Sequence, residues 1–229
     1  MTGVNAADYF RQQDIVRPDQ LSTPILVIGA GGIGSPTVLT LAKMGCSNIR
    51  VYDPDTVERH NIPNQLYRVG DVGEYKVNAL QDIVRSYTGT TIYPVVAHYE
   101  SQPLTEIVIS AVDSMEARKR IWEAVKESLI TRLYIEARMG AEVGRVYAVQ
   151  LTPLELDPEA GRQAGQEYEK QLYSDEEAVE LPCTARATIY NCFMIAALIA
   201  NQVKRFAVGE PVWSELVMDL ATMYLIANP

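Results

Sequence analysis

Residues 25–35 read Ile25-Leu-Val-Ile-Gly-Ala-Gly-Gly-Ile-Gly-Ser35, an apolar run that leads directly into a Gly-x-Gly-x-x-Gly turn. A second apolar run, Ile49-Arg-Val-Tyr-Asp53, ends in an acid nineteen positions after the last of these glycines. This order of strand, glycine turn, helix start and acid is typical of a nucleotide-binding βαβ unit, in which the backbone approaches phosphate and the acid accepts ribose hydroxyls. The sequence therefore predicts nucleotide binding; the alternative is a glycine-rich turn without a ligand.

The order of elements favours a Rossmann-like, doubly wound α/β fold. Apolar runs alternate with helical periodicity, which indicates a mostly parallel sheet with helices on both faces and an antiparallel edge at the C-terminus. The pattern predicts strands at 24–29, 48–53, 91–97, 107–112, 132–137, 143–151 and 215–226, and helices at 33–44, from Gly73, at 114–129 and at 184–206.

Four segments describe the expected organisation of the chain. Residues 1–23 form an N-terminal helical arm, and residues 24–152 form the nucleotide-binding α/β core. Residues 153–182 are acidic and poor in aliphatic side chains, so we expect a mobile crossover segment there. Residues 183–229 supply a helix and an edge strand that complete the same domain.

Composition excludes several classes of protein. A chain of 229 residues that is 48% hydrophobic can build a sizeable core. Its N-terminus lacks a signal-peptide pattern, and no apolar run approaches the length of a membrane span. The 20 basic and 29 acidic residues give a net charge of −9, which argues against a nucleic-acid surface. We expect a cytoplasmic protein that binds neither nucleic acid nor membrane.

Several polar residues that could bind phosphate or Mg²⁺ follow the glycine turn along the chain. A lysine in the first turn of a helix and an acid at the carboxyl end of a buried strand can converge on a nucleotide, where the lysine neutralises phosphate and the acid holds Mg²⁺. This combination indicates ATP–Mg chemistry rather than hydride transfer. The residues lie in Asp53-Pro-Asp55, in His60-Asn61-Ile-Pro-Asn64-Gln65, at Lys76, and in Ser110-Ala-Val-Asp113-Ser-Met-Glu-Ala-Arg118.

Taken together, these motifs resemble the ThiF/MoeB/HesA family of E1-like activating enzymes. That family has a Gly-x-Gly-Gly-x-Gly turn, Asp-x-Asp-x-Val, Asn-Leu-x-Arg-Gln, a Gly-x-x-Lys helix start and an Asp after the next buried strand. The resemblance runs in register from about Arg11 to Asp113 and more loosely to the C-terminus. It implies ATP-dependent adenylation of a carboxyl group, typically the C-terminal carboxylate of a ubiquitin-like or sulfur-carrier protein, with release of pyrophosphate.

The resemblance also implies roles for individual residues. Asp113 would bind Mg²⁺, and Arg11 would reach the phosphates of a partner subunit, since the family works as dimers; we therefore expect a homodimer. The residues expected to contact ATP are Gly29, Gly31, Gly32, Gly34, Asp53, Asp55, Asn61, Asn64, Gln65 and Lys76. Each of the three functional charges has a plainer alternative: Lys76 as a solvated helix lysine, Asp113 as an N-cap, and Arg11 as a surface charge.

One position departs from the family pattern. Asn64 stands where the family has arginine, so a charge and a bidentate fork are lost. Arg59 or Arg68 could reach in from the same loop. The alternative function is a catalytically weakened, nucleotide-binding scaffold or partner subunit. An NAD(P)-dependent oxidoreductase is a third class, which the glycine turn alone permits.

The cysteines and His60 are the remaining candidate site residues. Cys183, in Leu181-Pro-Cys-Thr-Ala-Arg186, resembles the element in which E1 enzymes place the thiol that captures the activated carboxyl, although many small members stop at the adenylate. Cys46 and Cys192 lie in apolar surroundings and are expected in the core. Paired Cys-x-x-Cys motifs are missing, so no structural zinc is expected. His60 could contact substrate or be a solvated loop residue.

Overall fold

The computed structural model describes residues 6–151, 158–173 and 187–229. Within these residues, eight strands form one sheet and five α-helices cover it. The strands are β1 Ile25–Ile28, β2 Ile49–Tyr52, β3 Tyr93–Val95, β4 Ile107–Ser110, β5 Leu133–Gly140, β6 Val143–Gln150, β7 Glu215–Asp219 and β8 Tyr224–Asn228. The helices are α1 Gly34–Met44, α2 Lys76–Thr88, α3 Met115–Lys126, α4 Pro158–Glu169 and α5 Ile189–Ala207.

The strand order of the sheet is β3-β2-β1-β4-β5-β6-β7-β8. The first five of these strands pair in parallel, and β5 to β8 continue as an antiparallel meander. Parallel neighbours need crossover connections, and helices supply them here. The prediction of a mostly parallel, Rossmann-like sheet with an antiparallel edge is confirmed.

The two faces of the sheet bury two separate cores. Successive strand residues point to opposite faces, so Ile25 and Val27 of β1 join one core while Leu26 and Ile28 join the other. The first core contains residues of α1, α2 and α5, and the second contains residues of α3 and α4. Because β1 is buried on both faces, its sequence is a continuous apolar run rather than an alternating one.

Local sequence signals set several helix ends. Gly45 closes α1 in the left-handed conformation with φ of 110°, as a C-terminal glycine cap does. Ser114 caps the N-terminus of α3, where its hydroxyl accepts a hydrogen bond from the Ala117 amide at 3.2 Å. The alternative in which Asp113 caps this helix is therefore wrong.

Three elements differ from the sequence-based expectation. Helix α4 lies within residues 153–182, where no regular element was expected; it is amphipathic, and its Tyr168 packs against Trp122 of α3 with ring centroids 4.9 Å apart. The final expected strand, 215–226, is a hairpin of β7 and β8. Helix α5 begins at Ile189 rather than at 184. Among the described helices, none combines the length and the apolar character needed to cross a membrane.

Replacing Gly34 by alanine should destabilise the fold. A Cβ atom at Gly34 would lie 1.9 Å from the Gly29 carbonyl oxygen, so the glycine turn would have to shift. Overpacking of this kind costs about 3 kcal/mol of unfolding free energy, measurable by urea denaturation. Gly70→Ala is the matched control, because its Cβ meets nothing within 4 Å. Equal stability of the two variants would contradict the inference.

Candidate functional site

The sheet has a topological switch point between β1 and β4. Helix α1 leaves β1 on one face of the sheet and α3 leaves β4 on the other, so the loops after these strands diverge. In open α/β sheets, ligands bind in the crevice that such divergence leaves at the carboxyl ends of the strands. The glycine turn follows β1 and Asp113 follows β4, so the topology brings these two predicted elements to one crevice.

The glycines of the turn serve different purposes. Gly29 has a φ of +97°, and a Cβ there would lie 2.5 Å from the Ala111 carbonyl oxygen, so this glycine permits the contact between the β1 and β4 loops. A Cβ at Gly31 would meet no atom within 4 Å. Gly31 therefore borders open space at the helix start, where a phosphate could approach the backbone.

Asp53 holds the glycine turn in place. Its two carboxylate oxygens accept hydrogen bonds from the Ala30 amide at 2.7 Å and the Asp55 amide at 2.9 Å. The residue is 7% exposed, so the carboxylate is almost fully committed to backbone donors. The sequence spacing alone predicted that Asp53 binds ribose. The structure adds that Asp53 links the glycine turn to the loop after β2.

Lys76 and Asp55 form an ion pair beside that link. The Lys76 ammonium lies 2.7 Å from an Asp55 carboxylate oxygen, and the side chain of Lys76 is 9% exposed whereas that of Asp55 is 62% exposed. Lys76 is therefore not a solvated helix lysine. An exposed carboxylate is a weak competitor for a buried ammonium, so an incoming phosphate could share or take this cation.

The long loop after β2 is tied to the glycine turn. The Tyr67 hydroxyl donates to the Ala30 carbonyl at 2.6 Å, and the Leu66 amide donates to the Ser35 hydroxyl at 3.1 Å. The Asn64 carbonyl oxygen would lie 3.3 Å from a Cβ at Gly32. These contacts place the loop against the turn.

The three amides of this loop have different surroundings. The side-chain oxygen of Asn61 accepts the Glu58 amide at 2.8 Å, so this residue caps a short 3₁₀ turn rather than presenting that oxygen to a ligand. The side-chain oxygens of Asn64 and Gln65 are buried and have no hydrogen-bond partner among the residues that the structure describes. Buried oxygens of this kind normally accept a hydrogen bond, and a bound ligand or water is one way to supply the donor.

The basic residues of the loop are exposed. Arg68 contacts Asp71 at 2.7 Å; burial alone would raise the pKa of Asp71, but the hydrogen bonds from Arg68 lower it below its ordinary value. Arg59 is exposed. His60 is also exposed and lies 3.3 Å from Glu58. The exposed position of His60 favours the solvated-loop alternative.

A buried charge cluster lies directly behind Asp113. Arg118 donates to the carbonyl of Val112, the residue before Asp113, and to Glu136 at 2.7 Å. Glu136 is fully buried and also contacts Arg138 at 2.7 Å. Sequence reasoning missed this cluster, although an acid inside the apolar strand Leu133-Tyr-Ile-Glu-Ala137 was a signal for it.

The same cluster fixes α4. The Tyr168 hydroxyl donates to Glu136 at 3.2 Å, and Arg138 donates to the Gln171 carbonyl at 2.9 Å. Burial, together with the neighbouring Tyr134 and the Glu136 carboxylate, raises the pKa of Tyr168 well above its ordinary value, so the phenol stays protonated as a donor. The β4 loop and α4 are thus held by one network.

The donor set fits magnesium brought by a nucleotide. Within the described ranges, no three His, Cys, Asp or Glu side chains lie together as a metal cluster. Asp113 is an exposed single carboxylate at the crevice. Mg²⁺ is commonly held by one or two carboxylates together with substrate phosphates, so Asp113 suits such a metal and not a closed structural site.

The remaining candidates lie elsewhere. Cys46 and Cys192 are buried as expected, and burial raises the pKa of their thiols to about 12 and about 11. Cys183 lies outside the described residues.

Arg11 is exposed and lines a cavity of about 610 Å³ with Lys43 and Tyr87, near the C-terminal end of α1. The glycine turn is at the other end of that helix, about 16 Å away for eleven residues.

The fold is that of an α/β protein with a Rossmann-like sheet and a crevice at its topological switch point. The ThiF family model matches residues 19–223, which is most of the chain. The chain belongs to the ThiF family.

Three named relatives each match about two fifths of the chain. The NEDD8-activating enzyme E1 catalytic subunit of Arabidopsis thaliana is 36% identical over 104 residues, covering 42% of this chain and 23% of that protein. The SAMP-activating enzyme E1 of Haloferax volcanii is 34% identical over 90 residues, covering 38% and 33%. The adenylyltransferase and sulfurtransferase uba4 of Aspergillus clavatus is 38% identical over 88 residues, covering 38% and 18%. The aligned part thus spans a third or less of each of these relatives.

Solved structures show the same fold over nearly the whole chain. PaaA superposes with a TM-score of 0.73 at 19% identity, covering 100% of this chain and 74% of that one. Escherichia coli MccB with ATP superposes with a TM-score of 0.67 at 15% identity, covering 92% and 65%. At these identities the likeness concerns the fold.

Replacing Glu136 by glutamine should destabilise the protein strongly. The variant leaves Arg118 and Arg138 without their shared buried carboxylate, and breaking a buried ion pair in this way costs about 3–5 kcal/mol. Glu106→Gln is the control, since its pair with Arg132 at 3.4 Å is exposed and should contribute less than about 1 kcal/mol. Urea unfolding compares them, and a loss at Glu136 no larger than at Glu106 would refute the role of the cluster.

Proposed function

We propose that this chain is an E1-like adenylyltransferase that activates the carboxylate of a small protein or peptide with ATP. The proposal is supported by the glycine turn, the buried Lys76 and the exposed Asp113, which follow β1, β2 and β4 along the chain. An oxidoreductase also needs a glycine turn, but it does not need a lysine and a metal-binding acid at the phosphate end.

The geometry suggests how the reaction would proceed. The backbone amides at the start of α1 and the Lys76 ammonium would bind the ATP phosphates, and Asp113 would hold Mg²⁺, which supplies further charge neutralisation when bound. A carboxylate oxygen of the substrate would attack the α-phosphorus, and the bond from that phosphorus to the oxygen bridging to the β-phosphate would break. The products are an acyl adenylate and pyrophosphate.

The substrate class is inferred from the relatives. The NEDD8- and SAMP-activating enzymes are named for the modifiers that they activate, and MccB is known in complexes with MccA and with ATP. We therefore infer that the substrate is the C-terminal carboxylate of a ubiquitin-like protein, a sulfur-carrier protein or a peptide. Cys183 is a proposed nucleophile for a later transfer step.

Arg11 is proposed to act on a second subunit. Its place near the far end of α1 puts it out of reach of its own glycine turn, which supports a role in a partner's crevice within a homodimer. Use of ATP and a modifier protein would place the enzyme in the cytoplasm.

A catalytically weakened scaffold is the second candidate. Asn64 lies against the glycine turn, and the sequence pattern of the family has arginine at this point; a neutral amide cannot form a charged, bidentate contact with phosphate. This function requires that nucleotide binding persists while adenylate formation is lost.

Removal of the crevice charges should weaken MgATP binding. We expect Lys76→Ala and Asp113→Ala each to raise the dissociation constant at least about tenfold, because each loses a charged contact of about 1.5–3 kcal/mol. Gly31→Ala should do the same without loss of stability, since its Cβ would occupy the open approach for phosphate. Titration calorimetry measures all three variants, with NAD as the comparator ligand.

Lys126→Ala is the control for this experiment, because Lys126 lies in the last turn of α3, at the opposite end of that helix from Asp113. It should bind MgATP like the wild type. Tighter binding of NAD than of MgATP, or variants that bind MgATP unchanged, would exclude the proposed use of the crevice.

Replacing Asn64 by arginine distinguishes between the two candidate functions. Asn64→Arg should tighten MgATP binding about tenfold through a new charged contact. Asn48→Arg adds the same charge at an exposed position before β2 and should not. Both proteins are then assayed for pyrophosphate exchange with candidate carboxyl substrates. Exchange by the wild type supports an active adenylyltransferase. Exchange that appears only in Asn64→Arg supports the catalytically weakened scaffold.

A further inference from the structure

Glu136 is a buried acid to which the proposed reaction gives no direct part. Its neighbours in β5, Ile135 and Ala137, belong to the core on the side of α1, α2 and α5, so Glu136 faces the side of α3 and α4. The residue is 0% exposed. A buried ion pair is weak evidence for stability, because an apolar side chain of similar size is often at least as stable in its place. The contacts of Glu136 indicate a further role.

The Glu136 carboxylate fixes the orientation of the Arg118 guanidinium. The Nε atom of Arg118 donates to Glu136 at 2.7 Å, and its Nη2 atom donates to the Val112 carbonyl and, at 3.3 Å, to the Ala137 carbonyl. A guanidinium is planar and rigid, so the direction of Nη2 is set once Nε is bound. Through Arg118, Glu136 therefore determines where the Val112 carbonyl is held.

Asp113 lies between two fixed points of the backbone. The Val112 carbonyl belongs to the peptide plane that also contains the amide and the Cα atom of Asp113. On the other side, the Ser114 hydroxyl accepts a hydrogen bond from the Ala117 amide at 3.2 Å and caps α3. The side chain of Asp113 is exposed, but its backbone is held at both ends. Such support restricts the directions in which a carboxylate can point, as a metal ligand requires.

Helix α4 is bound to the other oxygen of the same carboxylate. Arg118 binds Oε1 of Glu136, whereas the Tyr168 hydroxyl donates to Oε2 at 3.2 Å. Arg138 also donates to Oε2, at 2.8 Å. The two oxygens of one side chain thus join α4 to the loop that carries Asp113.

We propose that Glu136 and Arg118 are positioning residues that aim the Asp113 carboxylate at Mg²⁺. The inference rests on the proposed function, in which Asp113 is the metal ligand. Neither positioning residue faces the crevice as a ligand: Glu136 is fully buried, and Arg118 is turned toward Glu136 and two backbone carbonyls. Groups that orient a metal ligand typically change metal affinity about 10- to 100-fold when they are replaced.

The same carboxylate couples α4 to the metal site. Because Tyr168 and Arg118 share Glu136, release of α4 would free one oxygen and let the pair with Arg118 rotate. Coupling between two sites is reciprocal, so bound MgATP should slow hydrogen exchange of the α4 amides. A partner that engages α4 would in this way change the affinity for the metal.

A double-mutant cycle with Asp113 tests the positioning role. Arg118→Lys keeps the positive charge beside Glu136 but removes the second donor, so the Val112 carbonyl is released. We expect the MgATP dissociation constant to rise about tenfold in the wild-type background and by less than about twofold in the Asp113→Ala background, where no carboxylate is left to aim. Titration calorimetry on the full chain measures all four proteins. Equal losses in the two backgrounds would overturn the proposal.

Two further variants separate positioning from stability. Tyr168→Phe keeps the ring packed on Trp122 and removes only the donor to Glu136, so MgATP binding should weaken about threefold. Ile199→Val is the control: Ile199 is fully buried in the core on the other face of the sheet, and the variant should lose a comparable amount of stability. It should bind MgATP like the wild type. Equal weakening in these two variants would show that stability alone sets the affinity.

Hydrogen exchange of the nucleotide-free protein gives a readout besides MgATP binding. The amides of Ala111 and Ala117 are hydrogen-bonded on either side of Asp113 and should exchange faster in Arg118→Lys. Arg120→Lys, at an exposed arginine of the same helix, should leave them unchanged. A wild type that binds no MgATP would refute the proposed function and the metal role with it. Unchanged exchange in Arg118→Lys, beside intact MgATP binding by the wild type, would refute only the positioning role.

Discussion

The close approach of the first and last glycines of the turn is the constraint on which the rest of the site depends. The carbonyl of Gly29 occupies the space that a side chain at Gly34 would need, and Gly29 itself packs on Ala111 after β4. This contact lets α1 begin directly above β1 and brings the β4 loop alongside. The amides at the start of α1 and the carboxylate of Asp113 can then face one crevice, which neither strand could build alone.

Electrostatic interactions fix the rim of that crevice in two layers. Asp53 binds the turn through backbone amides, and the Lys76–Asp55 pair stands next to it with the lysine buried and the acid exposed. Behind Asp113, the buried Glu136 holds Arg118 and Arg138 together. The chain is acidic overall, so local cations of this kind are what make the crevice suitable for an anionic ligand.

Much of the fold was predictable because local signals coincided with the tertiary structure. The buried strands, the glycine turn and the Gly45 cap each have a short-range signature, and they lie where the sequence indicated. Helix α4 was missed because its stability comes from packing Tyr168 on Trp122 and not from a run of aliphatic residues. The β7–β8 hairpin was read as one strand because its turn lacks a Gly or Asn-Gly signal.

By itself, the sequence determined the type of fold, the family pattern and the identity of the residues that could meet a nucleotide. Those features are local, since each depends on a few consecutive residues and their spacing. The tertiary structure decided which of them meet. It buried Lys76 against Asp55, gave Asn61 a structural role, and placed Arg11 near the far end of α1. Contacts between distant segments set these positions, and no spacing along the chain encodes burial or the partner that a charge will find.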